Sequence, residues 1–219
     1  MIFNPPPKTK DRILMASLEL FNERGSSFIT TNHIAQAMGI SPGNLYYHYS
    51  NKEEIIRAIW LELSAKMDII WENLVSESPE EDLSEFFLIL FRLFYKYRFF
   101  WIELSVLLDK DPELSKLYRA RVKRILDHYN RVMDIWVEKG MVERETFERD
   151  RKLLLENTWF IGQFWINYSY INKGQVTLED MKEGLLRVFH LLYPYLMPES
   201  AKIIKNKIDK FYQITSEDI

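Results

Sequence analysis

Near the N-terminus two helix boundaries stand almost back to back, and that spacing limits the fold more than any other feature of the chain. Gly39 ends one helical run, because glycine accepts the left-handed backbone of a helix C-cap without a steric penalty. Two residues on, Ser41 offers a capping hydroxyl and Pro42 takes the first helical position, where its missing N–H is not needed. The run before Gly39 starts at Thr30 or Thr31, either of which can cap it, and turns Ile34, Ala35 and Met38 inward. Upstream, from Lys8, the residues Ile13, Ala16, Leu20 and Phe21 share one apolar face until Gly25 stops that helix. Three short helices, the last two separated by Gly39-Ile40 alone, have the spacing of a helix-turn-helix.

The same punctuation continues. Pro5-Pro6-Pro7 reads as an extended arm. Ser50-Asn51-Lys52-Glu53 is a capping box, followed by a helical repeat from Ile56 through Trp60, Leu63, Met67 and Trp71 to about Ser76. Further starts stand at Ser78-Pro79-Glu80-Glu81, Asp111-Pro112-Glu113 and Thr177-Leu178-Glu179-Asp180, with stops at Gly140, Lys173-Gly174 and Tyr193-Pro194. The aromatic run Phe99-Phe100-Trp101-Ile102 is read as a buried helix in preference to a short strand. Only 7 Gly and 8 Pro in 219 residues argue against a turn-rich β fold. The expected fold is all-α, with nine helices, or ten if Pro198 to Tyr212 forms one. It divides into a helix-turn-helix head at residues 1–52 and a helical body at 53–219.

The helix that starts at Pro42 turns Leu45 and Tyr49 inward with Ile40, which leaves Pro42, Gly43, Asn44, Tyr46, Tyr47 and His48 outside. Those residue types suit a DNA groove: Gly43 permits close approach, Asn44 can read an adenine edge, and Tyr46, Tyr47 and His48 can reach phosphates or bases. Thr31, Asn32 and Lys52 sit in the first turns of the flanking helices, where backbone N–H groups attract anions. The alternative is an aromatic helix that only packs on its neighbours. Residues 1–52 carry five Lys and Arg against three acids, a charge of +2. The chain's formal charge is −3, so the remainder carries −5, and the sign asymmetry fits a DNA-binding head on an acidic body.

Ile13 to Phe21 with Gly25, Thr31-Asn32-His33-Ile34-Ala35, Met38-Gly39-Ile40-Ser41, and Gly43-Asn44-Leu45-Tyr46-Tyr47-His48-Tyr49 through Lys52-Glu53-Glu54 resemble the DNA-binding head of the tetracycline-repressor (TetR/AcrR) family. The resemblance implies that Leu45 is core and that Tyr46, Tyr47 and His48 touch the groove or its phosphates. It further implies that Thr31 and Lys52 hold the backbone and that Ser41 caps the recognition helix. Gly43 stands where family members carry a side chain, and Asn32 where several carry a basic residue. Arg98 to Arg121 is similar to a subgroup of the family and implies its helical effector-binding and dimerisation domain.

In the body, Trp159 to Ile166 is apolar around the whole helix circumference, and such a helix is buried on all sides. A dimer interface is expected there and on the helix from Leu178 to Tyr193, through Gly162, Trp165, Met181, Leu185, Val188 and Leu192. That helix carries two apolar stripes, Met181-Leu185-Val188-Leu192 and Leu178-Leu186-Phe189-Tyr193, and the alternative puts one of them under the C-terminal helix, Lys202 to Tyr212. An effector cavity is expected among Phe94, Trp101, Tyr129, Trp136, Trp159, Phe160 and Trp165, with His128, Asn130, Asn157 and Gln163 as orienting polar groups. Aromatic residues at helical spacing are also ordinary core.

No cysteine is present, which excludes disulfides, thiolate nucleophiles and Cys-bound zinc together. His33, His48, His128 and His190 are scattered, with no metal-binding or phosphate-binding motif, so no enzyme, cofactor or metal is expected. No stretch suits a membrane span and the N-terminus is no signal peptide, which points to a cytoplasmic protein. The reading that combines these features is a homodimeric, ligand-responsive transcriptional regulator. It is expected to act as a repressor on a (pseudo)palindromic double-stranded operator and to be released by a hydrophobic or aromatic small molecule. A helical enzyme and a scaffolding protein that has lost DNA binding are the rivals.

Overall fold

The computed structural model describes residues 8–74 and 89–213; the helix start expected at Ser78 and the proline arm at Pro5-Pro6-Pro7 lie outside them. The head consists of α1 (Thr9–Arg24), a single 3-10 turn at Ser26–Phe28, α2 (Thr31–Ala37) and α3 (Pro42–His48). The lever α4 (Lys52–Leu74) leads into the body, where residues 89–96 are helical (α5). They are followed by α6 (Arg98–Ile102), α7 (Leu104–Lys110), α8 (Pro112–Glu138), α9 (Arg144–Lys173), α10 (Leu178–Leu192) and α11 (Pro198–Gln213). Among the described residues the only extended pairing is one antiparallel bridge between Val142 and Leu196.

Local chemistry accounts for most of these boundaries. Thr30 caps α2 by accepting from the His33 amide, and the His33 ring accepts in return from the Thr30 amide. Ser41 caps α3 with Pro42 at its first position, and Asp111 caps α8 with Pro112 behind it. Thr177 and Asp180 form a reciprocal box at the start of α10. Gly25, Gly39, Gly140 and Gly174 all take positive φ, at the ends expected of them. At α4 the expected box is displaced by one residue. Asn51, not Ser50, accepts from the Glu54 amide, while the Glu54 carboxylate accepts from the Ser50 amide. In α1 the buried face is Ile13, Ser17, Leu18 and Phe21; Ala16 and Leu20 are only half-buried.

One continuous core joins head and body. Ile13, Phe21, Ile34 and Leu45 of the head pack with Ile55, Ile59 and Trp60 of α4 and with Phe100 and Trp101 of α6. Trp60 lies flat on Phe100, ring centroids 4.7 Å apart. The boundary expected after residue 52 thus falls at the first residue of a helix whose opening turns complete the head. A second cluster fills the far end of the body, around Trp71, Trp136, Phe147, Leu185 and Ile204.

Candidate nucleic-acid interface and effector cavity

Helix α3 stands on α2 through Leu45, 0% exposed, and Tyr49, 2% exposed. With the inner face fixed, Pro42, Gly43, Asn44, Tyr46 and Tyr47 are exposed and His48 is half-buried against the Tyr47 ring. Tyr47 is 85% exposed, against 48% for Tyr46. Asn32 lies exposed in the first turn of α2. Thr31, half-buried beside it, meets the Tyr46 hydroxyl at 2.9 Å, a bond that ties the start of α2 to the outer face of α3. Ser41 spends its hydroxyl on the Asn44 amide, 3.2 Å away. Gly43 faces open space, its would-be Cβ meeting only the Ser41 hydroxyl at 4.0 Å.

Lys52 departs from the expected phosphate contact. Its ammonium is half-buried and donates to the carbonyl of Ser26 at 2.5 Å and to that of Ile29 at 3.0 Å. Burial pushes its pKa below the ordinary lysine value, with Lys110 adding to the effect and Glu53 opposing it. This lysine fastens the turn before α2 to the lever α4.

In the body a cavity of about 100 Å³ opens between five helices. Trp71 of α4 and Phe94 of α5 form one side, and Tyr129, Met133 and Trp136 of α8 another. Leu155, Thr158, Gly162 and Ile166 of α9 and Met181, Leu185 and Leu192 of α10 close it. Among the described residues no charged side chain reaches the wall, and burial holds the Tyr129 hydroxyl above its ordinary pKa, so that it stays neutral. The Trp136 indole N–H is buried and has no hydrogen-bond partner among the described residues. Close helix approach shapes the wall: a Cβ on Gly184 would lie 2.6 Å from Trp165 Cδ1.

Phe94, Tyr129, Trp136 and Trp165 therefore stand where a cavity was expected, but seven companions do not. Trp101 is core between Trp60 and Phe94. His128 stacks on Trp71 and faces Asp68, whose carboxylate holds the wholly buried Arg121. Trp159 sets its ring edge against Phe164, outside the wall, and Gln163 is buried away from it. Asn130 bonds Leu126 and Arg151, Asn157 is exposed, and Phe160 is 59% exposed.

The interface residues are also displaced. Gly162, Trp165, Met181, Leu185, Val188 and Leu192 all line the cavity, and Met181 and Leu185 are only 2% exposed within a single protomer. The helical period explains the reversal. Positions 158, 162 and 165 fall on the face of α9 opposite to 153, 160, 164, 168 and 171. That second face carries Leu153, Phe160, Phe164, Tyr168 and Ile171, all exposed.

Among the described residues no group of three His, Asp or Glu is placed to hold a metal ion, and no helix is long and apolar enough to cross a membrane. A helix-turn-helix with an aromatic outer face, carried on a helical body with a central cavity, has the architecture of a ligand-binding DNA regulator. Comparison with known proteins is specific. Residues 13–59 match the model for bacterial regulatory proteins of the tetR family, and residues 62–203 match the TetR bacterial transcriptional repressor model. A TetR-family transcriptional regulator of Marinobacter aquaeolei superposes with a TM-score of 0.81 at 35% identity, over 94% of this chain and 99% of that one. The negative transcriptional regulator IcaR of the biofilm operon icaADBC in Staphylococcus epidermidis is 27% identical, over 82% of this chain and 98% of its own. The regulator UidR of Escherichia coli is 43% identical over 54 residues, 25% of this chain and 28% of its own. The chain belongs to the TetR family of transcriptional regulators, and is a DNA-binding regulator, not an enzyme.

Proposed function

We propose that the protein is a homodimeric repressor. Each head lays α3 into the major groove of one half-site of a two-fold symmetric duplex, and an uncharged apolar molecule in the body cavity weakens that binding. The observation that carries the reading is the outer face of α3, with Tyr47 85% exposed above a buried Leu45. An aromatic side chain so exposed contributes nothing to its own fold and is well placed to meet a partner. Asn44 and the open space at Gly43 lie beside it, and Asn32 stands at the start of α2. The repressor sense is supported by the whole-length likeness to IcaR, a negative regulator.

A second copy is the natural occupant of the exposed apolar face of α9. Leu153, Phe160, Phe164, Tyr168 and Ile171 follow one helical stripe, and a two-fold axis makes such a stripe self-complementary. The same symmetry would present two heads to two half-sites. For the effector, the uncharged wall disfavours anions and cations, whose desolvation nothing there offsets. An apolar cavity of about 150 Å³ holds a benzene ring, so a space of about 100 Å³ suits a slim apolar molecule unless the lining yields.

The test is fluorescence anisotropy on a duplex selected from a random pool. Tyr47→Ala should weaken binding at least about tenfold, the loss of about 1.4 kcal/mol of contact, and leave the unfolding midpoint unchanged. Undiminished affinity in this variant would remove α3 from the interface.

A further inference from the structure

The turn that sets α2 is gripped from the body. At the junction of α6 and α7, Glu103 accepts from the Ser26 amide at 2.8 Å and from the Ser26 hydroxyl at 2.5 Å. Ser26 is 2% exposed, so both bonds are shielded from water. The fit is close: a Cβ on Gly25, at φ +79°, would lie 3.1 Å from the same carboxylate. On the other side Lys52 holds the carbonyls of Ser26 and Ile29. The end of α1 docks at the other end of α6, where Asn22 donates to the Lys96 carbonyl at 2.8 Å and accepts from the Phe99 amide at 3.1 Å.

The junction of α6 and α7 is held from the cavity side as well. Asn167 of α9 donates to the carbonyl of Ile102, the residue before Glu103, at 2.9 Å. Asn167 follows Ile166, a wall residue of the cavity, and Phe94 of that wall rests on Trp101 of α6 at 5.0 Å. A continuous run of bonded groups therefore leads from cavity wall to Asn167, Ile102, Glu103 and Ser26, and so to the start of the reading unit.

We propose that Glu103 is the positioning residue through which the state of the cavity reaches the DNA-binding head, with Asn167 as its link to α9. This rests on the regulator reading given above. When α9 shifts to admit a molecule, the Ile102 carbonyl follows Asn167 and the carboxylate draws on the Ser26 turn, which re-aims α2 and α3. Coupling of this kind is a difference in free energy between two arrangements, and the coupling between two sites is reciprocal.

The experiment fills the cavity covalently, in the full-length chain, with Gly162→Leu. Gly162 lines the wall and its would-be Cβ meets only the Tyr129 hydroxyl, at 3.8 Å. Ile161→Phe serves as a second filler should the first fail to fold. The readout is amide exchange of the 22–30 segment, which requires no DNA, together with affinity for the selected duplex. Filling should change exchange at the turn by about fivefold or more, and the change should fall below about twofold in Glu103→Ala or Asn167→Ala backgrounds. Glu103→Gln, which keeps one acceptor, should restore part of it. A residue with a merely structural role would lower the unfolding midpoint and leave the response to filling intact, and that result would overturn the proposal. So would an unchanged turn in both filled variants. A coupled turn in a chain that binds no duplex would retain the coupling while refuting the regulator reading.

Discussion

Lys52 belongs to the interior of the head as much as to its rim, because its two partners are carbonyls of the turn before α2. Lys52→Ala should therefore lower the unfolding free energy by about 1–3 kcal/mol, the usual effect of stranding buried acceptors of a charged donor, and denaturant titration will show it. Tyr47, by contrast, acts at the surface alone. The difference was legible in the sequence for one residue only. Tyr47 faces outward because Leu45 and Tyr49 face inward on the same two turns, whereas the partners of Lys52 lie more than twenty residues away and no local pattern announces them. His128 carries a pH dependence. Burial, then Arg131 and Arg121, hold its pKa below the ordinary 6.5, and Asp68 only partly offsets them. The folded value thus lies below the unfolded one. Its contribution is complete above pH 6.5 and is lost as pH falls from there through the folded value. The thermal midpoint should drop as pH falls below 6.5, and His128→Gln should flatten that drop. Buried carboxylates such as Asp180, whose pKa lies below 3.8, titrate lower and leave this window clear.

At the level of elements, most helix ends were readable almost to the residue because they are fixed by groups within four positions of one another. Thr30, Ser41-Pro42, Asp111-Pro112 and Gly174 each act on their own helix end. The two faces of α9 were not readable in the same way. An all-apolar helix announces that two surfaces cover it, but which one is internal depends on α5, α8 and α10, whose positions the sequence pattern does not contain. The resolved arrangement makes two predictions. Phe160→Asp with Phe164→Asp should convert the proposed dimer to monomer in sedimentation velocity without unfolding the protomer, in which both side chains are exposed. Dimer formation undiminished in that variant would place the interface elsewhere. Gly184→Ala should cost about 1–3 kcal/mol as an overpacked contact, because its methyl would arrive 2.6 Å from Trp165.

For the whole molecule, a single core carries the head on the body, while the exposed α9 stripe and the outer face of α3 remain open for partners. The weak +2 charge of the head leaves specificity to contacts at α3, and the salt dependence to a small number of phosphates. The central claim is two-headed, sequence-specific binding to DNA, and selection from a random duplex pool tests it directly. The dimer should enrich an inverted repeat whose half-site centres lie about one helical turn, or a whole multiple of it, apart. Its affinity for that duplex should fall with added salt, with the modest slope of a few phosphate contacts, and Tyr47→Ala should abolish the enrichment. A pool that stays unenriched, with binding to any duplex insensitive to salt, would contradict the account.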